Sequence, residues 1–233
     1  MKLFRFKVIA VAVVISLASS CASNEIGHSK DVNQNEICQT YTVEYSEADD
    51  KTEVTAFFRF AGPNGTTLIL DNPSTFTINN EKLKLHQTES RGAYYSKTYK
   101  GKMPEGEYVF RFLDLDGKEF TNKLNWTNMG VDSVSASLNR NENLVILFTD
   151  DPEGRNEEVT VEISDTANTV TETFKHVRKN RVVIKADKLQ SLHGKLNINI
   201  RRQGYTQLKQ HTKAGGYFFT DYELRPMHVT IAD

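Results

Sequence analysis

From Gln39 onward apolar and polar residues alternate with a period of two, the repeat that turns successive side chains to opposite faces of a β-strand. Tyr41–Tyr45, Glu53–Phe60, Thr66–Leu70 and Tyr108–Phe112 are such runs, rich in Val, Ile, Thr, Tyr and Phe. Turn residues break them at Gly62-Pro63-Asn64-Gly65, Asp71-Asn72-Pro73, Asn79-Asn80 and Asp116-Gly117, as β-breakers should. No stretch of twelve residues carries a helical period, and Ala186–Leu192 admits at most one short helical turn at Asp187. The pattern predicts an all-β chain.

A boundary is expected at Trp126–Asp132. Before it stands a hairpin, Glu107–Leu113 and Lys118–Leu124, turning at Asp114–Gly117. After it a second strand series runs from Ser133–Leu138 to His228–Ile231. Seven to nine short strands in each half fit two tandem immunoglobulin-like antiparallel β-sandwich domains, at 38–128 and 129–233. Tyr108, two residues after Gly106, sits like the tyrosine corner of such a sandwich. The halves also share a hairpin-like pattern: a strand opened by Gly106 turning at Gly117, and one opened by Gly194 turning at Gln203-Gly204. That match reads as duplication of one fold.

Aromatic residues crowd two strands, with Tyr94, Tyr95 and Tyr99 on one and Tyr217, Phe218, Phe219 and Tyr222 on the other. Alternation puts Tyr95 and Tyr99 on one face and Tyr94 on the opposite face, and separates Tyr217 and Phe219 from Phe218. One face of each strand packs into a core. The other exposes aromatic rings to a sugar or a partner's edge strand, so Tyr94, Tyr95, Tyr99, Tyr217, Phe219 and Tyr222 are the candidate contact residues.

Residues 1–21 follow a different grammar. Lys2, Arg5 and Lys7 precede an apolar run, Val8–Leu17, and then Ala18-Ser19-Ser20-Cys21. About ten apolar residues are too few to span a bilayer, which needs roughly 20, and match the apolar region of a secretory signal. This layout resembles the signal peptide and lipobox of bacterial lipoproteins, with Leu17 one place earlier than the usual leucine. The resemblance implies a signal peptide at 1–20, a diacylglyceryl thioether on Cys21, palmitate-type acylation and attachment to the membrane. Ala22 stands where aspartate would signal inner-membrane retention, so the resemblance implies passage through the periplasm to the outer membrane. Ordinary cleavage near Ala18 or Ala22, giving a soluble secreted protein, is the alternative. Residues 21–37 are polar and read as the lipidated terminus and a flexible tether, reaching about 20 Å.

The chain carries 29 basic and 30 acidic residues, a net charge of −1 that becomes −4 once Lys2, Arg5 and Lys7 leave with the signal. A mild acidic balance without blocks of one sign gives no argument for a nucleic-acid partner. Cys21 and Cys38 are the two cysteines. With Cys21 acylated, Cys38 is expected as a small buried side chain; without lipidation, a Cys21–Cys38 bridge becomes available.

The motifs that carry chemistry are missing. His28, His86, His176, His193, His211 and His228 show no zinc spacing, and there is no nucleophile elbow or phosphate loop. Asp114–Glu119 has alternating oxygen ligands but reads as a hairpin turn, and Asp150, Asp151 and Glu153 as a solvated acidic turn. No catalytic residue, cofactor or metal is expected. The resulting expectation is a lipid-anchored envelope protein acting as a non-catalytic binding or structural module for a protein or polysaccharide. The alternatives are an anchored carbohydrate-active hydrolase, with Asp150, Asp151 or Glu153 beside exposed tyrosines, and an accessory subunit of a secretion or pilus assembly.

Overall fold

The computed structural model describes residues 23–135, 137–149, 157–175, 177 and 180–232. The expected signal peptide, Cys21, His176 and the acidic loop with Asp150, Asp151 and Glu153 lie outside them. Among the described residues the chain is all-β, with three short 3₁₀ turns at Ser29–Asp31, Gln34–Glu36 and Ala186–Leu189.

The first lobe is built from β1 (Ile26–His28), β2 (Ile37–Ser46), β3 (Lys51–Phe60), β4 (Thr67–Ile69), β5 (Thr75–Ile78), β6 (Glu81–Lys82), β7 (Lys84–Thr88), β8 (Gly92–Lys100), β9 (Gly106–Leu113) and β10 (Glu119–Trp126). The second adds β11 (Val131–Val134), β12 (Ser137–Asn139), β13 (Leu144–Phe148), β14 (Glu157–Ser164), β15 (Thr169–Phe174), β16 (Arg181–Ile184), β17 (Gly194–Thr212), β18 (Gly215–Glu223) and β19 (Met227–Ala232). One twelve-stranded sheet, with β1-β4-β3-β2-β18-β17-β14-β15 as its main path, backs both lobes. A four-stranded sheet, β10-β9-β5-β6, covers its inner face in the first lobe, and a three-stranded sheet, β11-β13-β16, belongs to the second.

The core follows from alternation. Tyr41, Phe58, Phe76, Phe110 and Phe112 are buried between the sheets of the first lobe, where Tyr41 stacks on Phe76 at 5.0 Å and on Phe110 at 5.3 Å between ring centroids. In the second lobe Leu144, Ile146, Val161, Ile163, Ile198 and Ile200 are fully or almost fully buried. Tyr108 Oη donates to the Pro104 carbonyl at 2.8 Å, four residues upstream, which is the hydrogen bond of a tyrosine corner. Asp114–Gly117 forms the expected turn, with the Lys118 amide donating to Asp114 Oδ1 at 2.8 Å and Gly117 at φ +79°.

Three expectations need correction. First, the boundary at 128/129 does not divide the sheet. β17 is a single strand of 19 residues whose beginning pairs with β14 and β19, and whose later part pairs with β18. β18 then joins β2 of the first lobe in parallel, over Gly216↔Gln39 to Glu223↔Ser46. A parallel pair requires a long crossover, and here the intervening chain includes most of both lobes.

Second, Gln203-Gly204 is no turn, so the proposed second copy of the hairpin does not exist as one. Gly204 sits within β17, and a Cβ there would lie 2.5 Å from Thr220 Oγ1 and 3.0 Å from Glu157 Cγ. Close approach of the flanking strands, rather than chain reversal, is what requires glycine at this position.

Third, residues 23–36 are a docked strap rather than a free tether. β1 pairs in parallel with β4, Ile26↔Thr67 to His28↔Ile69. Ser29 and Gln34 are buried; Gln34 Nε2 donates to the Ser29 carbonyl at 2.7 Å, and the Asp71 amide donates to Ser29 Oγ at 2.8 Å. Asp71 accepts from the Lys30 amide at 3.2 Å and its carboxylate lies 3.0 Å from His28 Nδ1.

Candidate functional site: the outer face of the large sheet

The continuous register of β7, β8, β3, β2, β18 and β17 lines up their outward side chains in rows. In the first row Phe57 faces Thr40, Thr40 faces Tyr217 and Tyr217 faces Gln207. Tyr94 extends this row beside Phe57, at 5.6 Å between ring centroids, and His86 stacks on Tyr94 at 5.1 Å. The next row is Ser96, Thr55, Thr42, Phe219 and Tyr205, and the one after it Thr98, Glu53, Glu44, Asp221 and Gln203. A band of rings, a band of hydroxyls and a band of carboxylates therefore run side by side across five strands. Thr40, Thr55, Ser96 and Asp221 are buried within them, which leaves Thr42, Glu44 and Glu53 among the accessible polar members beside the rings.

Two aromatic clusters bound this surface. At one side Arg91 lies 4.2 Å over Tyr94 and 5.3 Å over Phe57, and Arg59 lies 4.9 Å over Phe57, so guanidinium planes cap the rings. At the other, Tyr205 and Tyr217 stack at 4.8 Å with an interplanar angle of 30°. Tyr205 is 57% exposed, the most open large hydrophobic residue among the described ones. Three strand spacings separate Tyr94 from Tyr217, about 14 Å at roughly 4.8 Å per strand. Beside Tyr205 a depression of about 460 Å³ is lined by Glu158, Lys175, Gln203 and Phe219 among others.

The acidic band has its own chemistry. Glu44 and Asp221 are register neighbours on parallel strands. Burial, then the charges of Asp221 and Glu53, push the Glu44 carboxyl above its ordinary range. Burial also raises Asp221, although Arg201 and a hydrogen bond from Gln203 oppose the shift. Arg201 holds the edge of the band, with Nε 3.2 Å from Asp221 Oδ1 and Nη2 3.1 Å from Glu223 Oε2.

Of the six candidate contact residues, Tyr94, Tyr217 and Phe219 stand on this outer face. The other three face inward. Tyr95 packs edge-on against Phe58 at 5.8 Å, and its Oη accepts the Leu70 amide at 2.7 Å. Tyr99 packs against the core beneath Lys97. Tyr222, 1% exposed, sits between Tyr45 at 4.5 Å and Trp126 at 5.8 Å. The aromatic count had grouped both faces together, whereas the alternation already separates them.

Phe57, His86, Arg91 and Tyr205 were not anticipated as part of the surface. Phe57 next to Phe58 offered the same in–out signal as Tyr94 next to Tyr95. For His86 and Arg91 the local sequence gives no sign, because only strand pairing brings them to the rings. Cys38, also on β2, is buried and free, and burial raises its thiol above the ordinary range. Among the described residues no group of three His, Cys, Asp or Glu side chains is arranged to hold a metal ion, and no helix is long and apolar enough to cross a membrane.

No protein-family model matches the chain, and no curated protein matches it. Among solved structures, SGBP-B of the Bacteroides ovatus mixed-linkage glucan utilization locus, in complex with a mixed-linkage heptasaccharide, aligns with 84% of this chain and 60% of its own at 10% identity and a TM-score of 0.25. The ICAM-5 D1–D4 ectodomain fragment aligns with 84% of this chain and 51% of its own at 10% identity and a TM-score of 0.24. This chain therefore spans about three fifths and about half of those two chains.

Proposed function

We propose that this protein is a lipid-anchored module of the bacterial envelope that binds an extended polysaccharide, without catalysis, along the outer face of its large sheet. The observation that carries the reading is the register itself. Tyr94, Phe57 and Tyr217 share one row, Tyr205 stacks on Tyr217 from the next, and a carboxylate row follows. Sugar rings present apolar faces to aromatic side chains and hydroxyls to polar ones, so a surface with both in parallel bands suits a glycan strand. The neighbouring pair Glu44 and Asp221 lies side by side on one flat wall. Glycoside hydrolysis places its two carboxylates on either side of the bond being broken, so the arrangement favours binding over hydrolysis. The anchor reading rests on the lipobox-like sequence ending at Cys21.

Affinity electrophoresis of the mature chain through gels containing individual envelope and plant polysaccharides tests the reading. At least one glycan should retard it, and Tyr205→Ala with Tyr217→Ala should weaken that binding by about tenfold while lowering stability by only about 1 kcal/mol, the loss of their mutual stacking, since each stacked ring contributes about 0.5–1.5 kcal/mol. Migration unaffected by every glycan, or retardation that survives the double substitution, would overturn it. Mass spectrometry of the mature N-terminus separately tests acylation of Cys21.

A further inference from the structure

The docked strap changes what a lipid anchor would do. At Ser23 the chain is already fixed to the first lobe. The Ser23 amide donates to the Asn64 carbonyl at 2.8 Å, and Arg59 Nη1 donates to the Ser23 carbonyl at 2.7 Å and to the Gly65 carbonyl at 3.0 Å. Two residues on, the Glu25 carbonyl accepts the Thr67 amide at 2.9 Å and Thr67 Oγ1 at 2.7 Å. Cys21 precedes Ser23 by two residues, and two residues span at most about 7 Å. An acylated cysteine is therefore tied within about 7 Å of Ser23, which is itself bonded to the 61–66 turn.

The same end of the molecule carries other features suited to a lipid surface. Phe60, 36% exposed, and Ile26, 41% exposed, are two of the three exposed large hydrophobics among the described residues, and both adjoin this turn. The end of β17 arrives here too. Thr212 Oγ1 donates to the Ile37 carbonyl at 2.6 Å and the Ala214 amide to the Asn35 carbonyl at 3.1 Å, while the Ala61 amide donates to the Glu36 carbonyl at 2.8 Å. From this end β17 runs 19 residues to Gly194 in the second lobe, at most about 60 Å at roughly 3.3 Å per residue.

We infer that the acylated protein seats the 61–66 turn end of its first lobe directly on the phospholipid surface, with Phe60 and Ile26 at headgroup level, and that the second lobe points away from the bilayer. The inference rests on the lipid-anchor reading above. It gives the anchor a second role, since so short a link fixes orientation as well as location. The ring-and-carboxylate face then stands along the membrane normal, open from the side.

The test uses the full acylated chain in phosphatidylethanolamine–phosphatidylglycerol vesicles containing a headgroup-nitroxide lipid. Bimane is placed at Asn64→Cys in the 61–66 turn or at Ala167→Cys in the β14–β15 turn near His193; buried Cys38 does not compete for the label. Emission at position 64 should fall at least twofold, and emission at 167 should not change. Inserting ten Gly/Ser residues between Ala22 and Ser23 should restore emission at 64 while the protein still sediments with vesicles. Equal quenching at both positions, no quenching at 64, or quenching untouched by the insertion would overturn the orientation while leaving the anchor intact. A chain with an unmodified Cys21 that fails to sediment would overturn both.

Discussion

Arg202 Nη2 donates to the Thr127 carbonyl at 2.6 Å, so a side chain of β17 holds the backbone of the segment that joins β10 to β11. The same guanidinium lies 5.2 Å over the Tyr222 ring and its Nε is 3.5 Å from Glu157 Oε2, and the side chain is only 3% exposed. A charge this deeply placed requires its partners, because removing one side of a buried pair leaves the other uncompensated. Arg202→Ala is expected to lower unfolding free energy by about 2–4 kcal/mol. Calorimetry should still show one transition, since both lobes share β17 and β18. Two separate transitions in the unaltered protein would contradict the shared-sheet account.

The parallel join of β18 to β2 depends on a glycine. At Gly216 a Cβ would stand 2.6 Å from the Gln39 carbonyl oxygen and 2.8 Å from Leu208 Cδ1. The first of these is backbone and cannot step aside without opening the ladder. Gly216→Ala should therefore cost about 1–3 kcal/mol as an overpacking change. Gly117 makes the contrasting case: φ is +79° but its Cβ would meet nothing within 4 Å, so Gly117→Ala should cost only about 1 kcal/mol of backbone strain. Chemical denaturation of the two variants side by side checks the order.

Much of the sandwich was legible because alternation is a local property. It placed Phe218 inward and Tyr217 outward without knowledge of any neighbour. Strand partners are not local, and so β18 was assigned to the second half although it completes the first lobe's sheet. Gly204 was read as a turn because glycine serves both chain reversal and close approach, and only the positions of Thr220 and Glu157 decide between them. The strap was missed for a different reason. Residues 23–36 contain few large apolar groups, so a burial argument predicts disorder. Their order comes instead from hydrogen bonds, with Arg59 on the Ser23 carbonyl, Gln34 on Ser29 and Asp71 on Lys30.

The in–out division gives a direct prediction on β3 and β18. Phe58 is fully buried and touches Tyr41, Phe76, Tyr95 and Phe112. Phe58→Ala should cost about 3–5 kcal/mol, the usual range for a large buried ring. Tyr217, one strand beyond β2 on the opposite face, should cost about 1 kcal/mol when replaced by Ala, chiefly its stacking on Tyr205. Comparable losses from both substitutions would mean that the outer face is covered in the folded protein and not available to a ligand.

Asp221 provides a pH-dependent check on the acidic band. Its pKa is raised by burial, with Glu44 beside it on β2, Glu223 on its own strand and Arg201 and Gln203 opposite on β17. A carboxyl whose folded pKa lies above its unfolded value binds its proton more tightly in the folded state. Its contribution to stability is therefore fully present below the ordinary aspartate range, about 3.9, and is lost as pH rises through the raised folded value. Asp221→Asn keeps the shape and removes the charge. Relative to the unaltered chain, the variant should be more stable at pH 7, and the gap should close as pH falls toward the ordinary aspartate range. Urea midpoints at several pH values between 4 and 8 measure this. A variant that is less stable at pH 7 would show that Arg201 and Gln203 outweigh burial at this site, and that the band is held by its charges rather than strained by them.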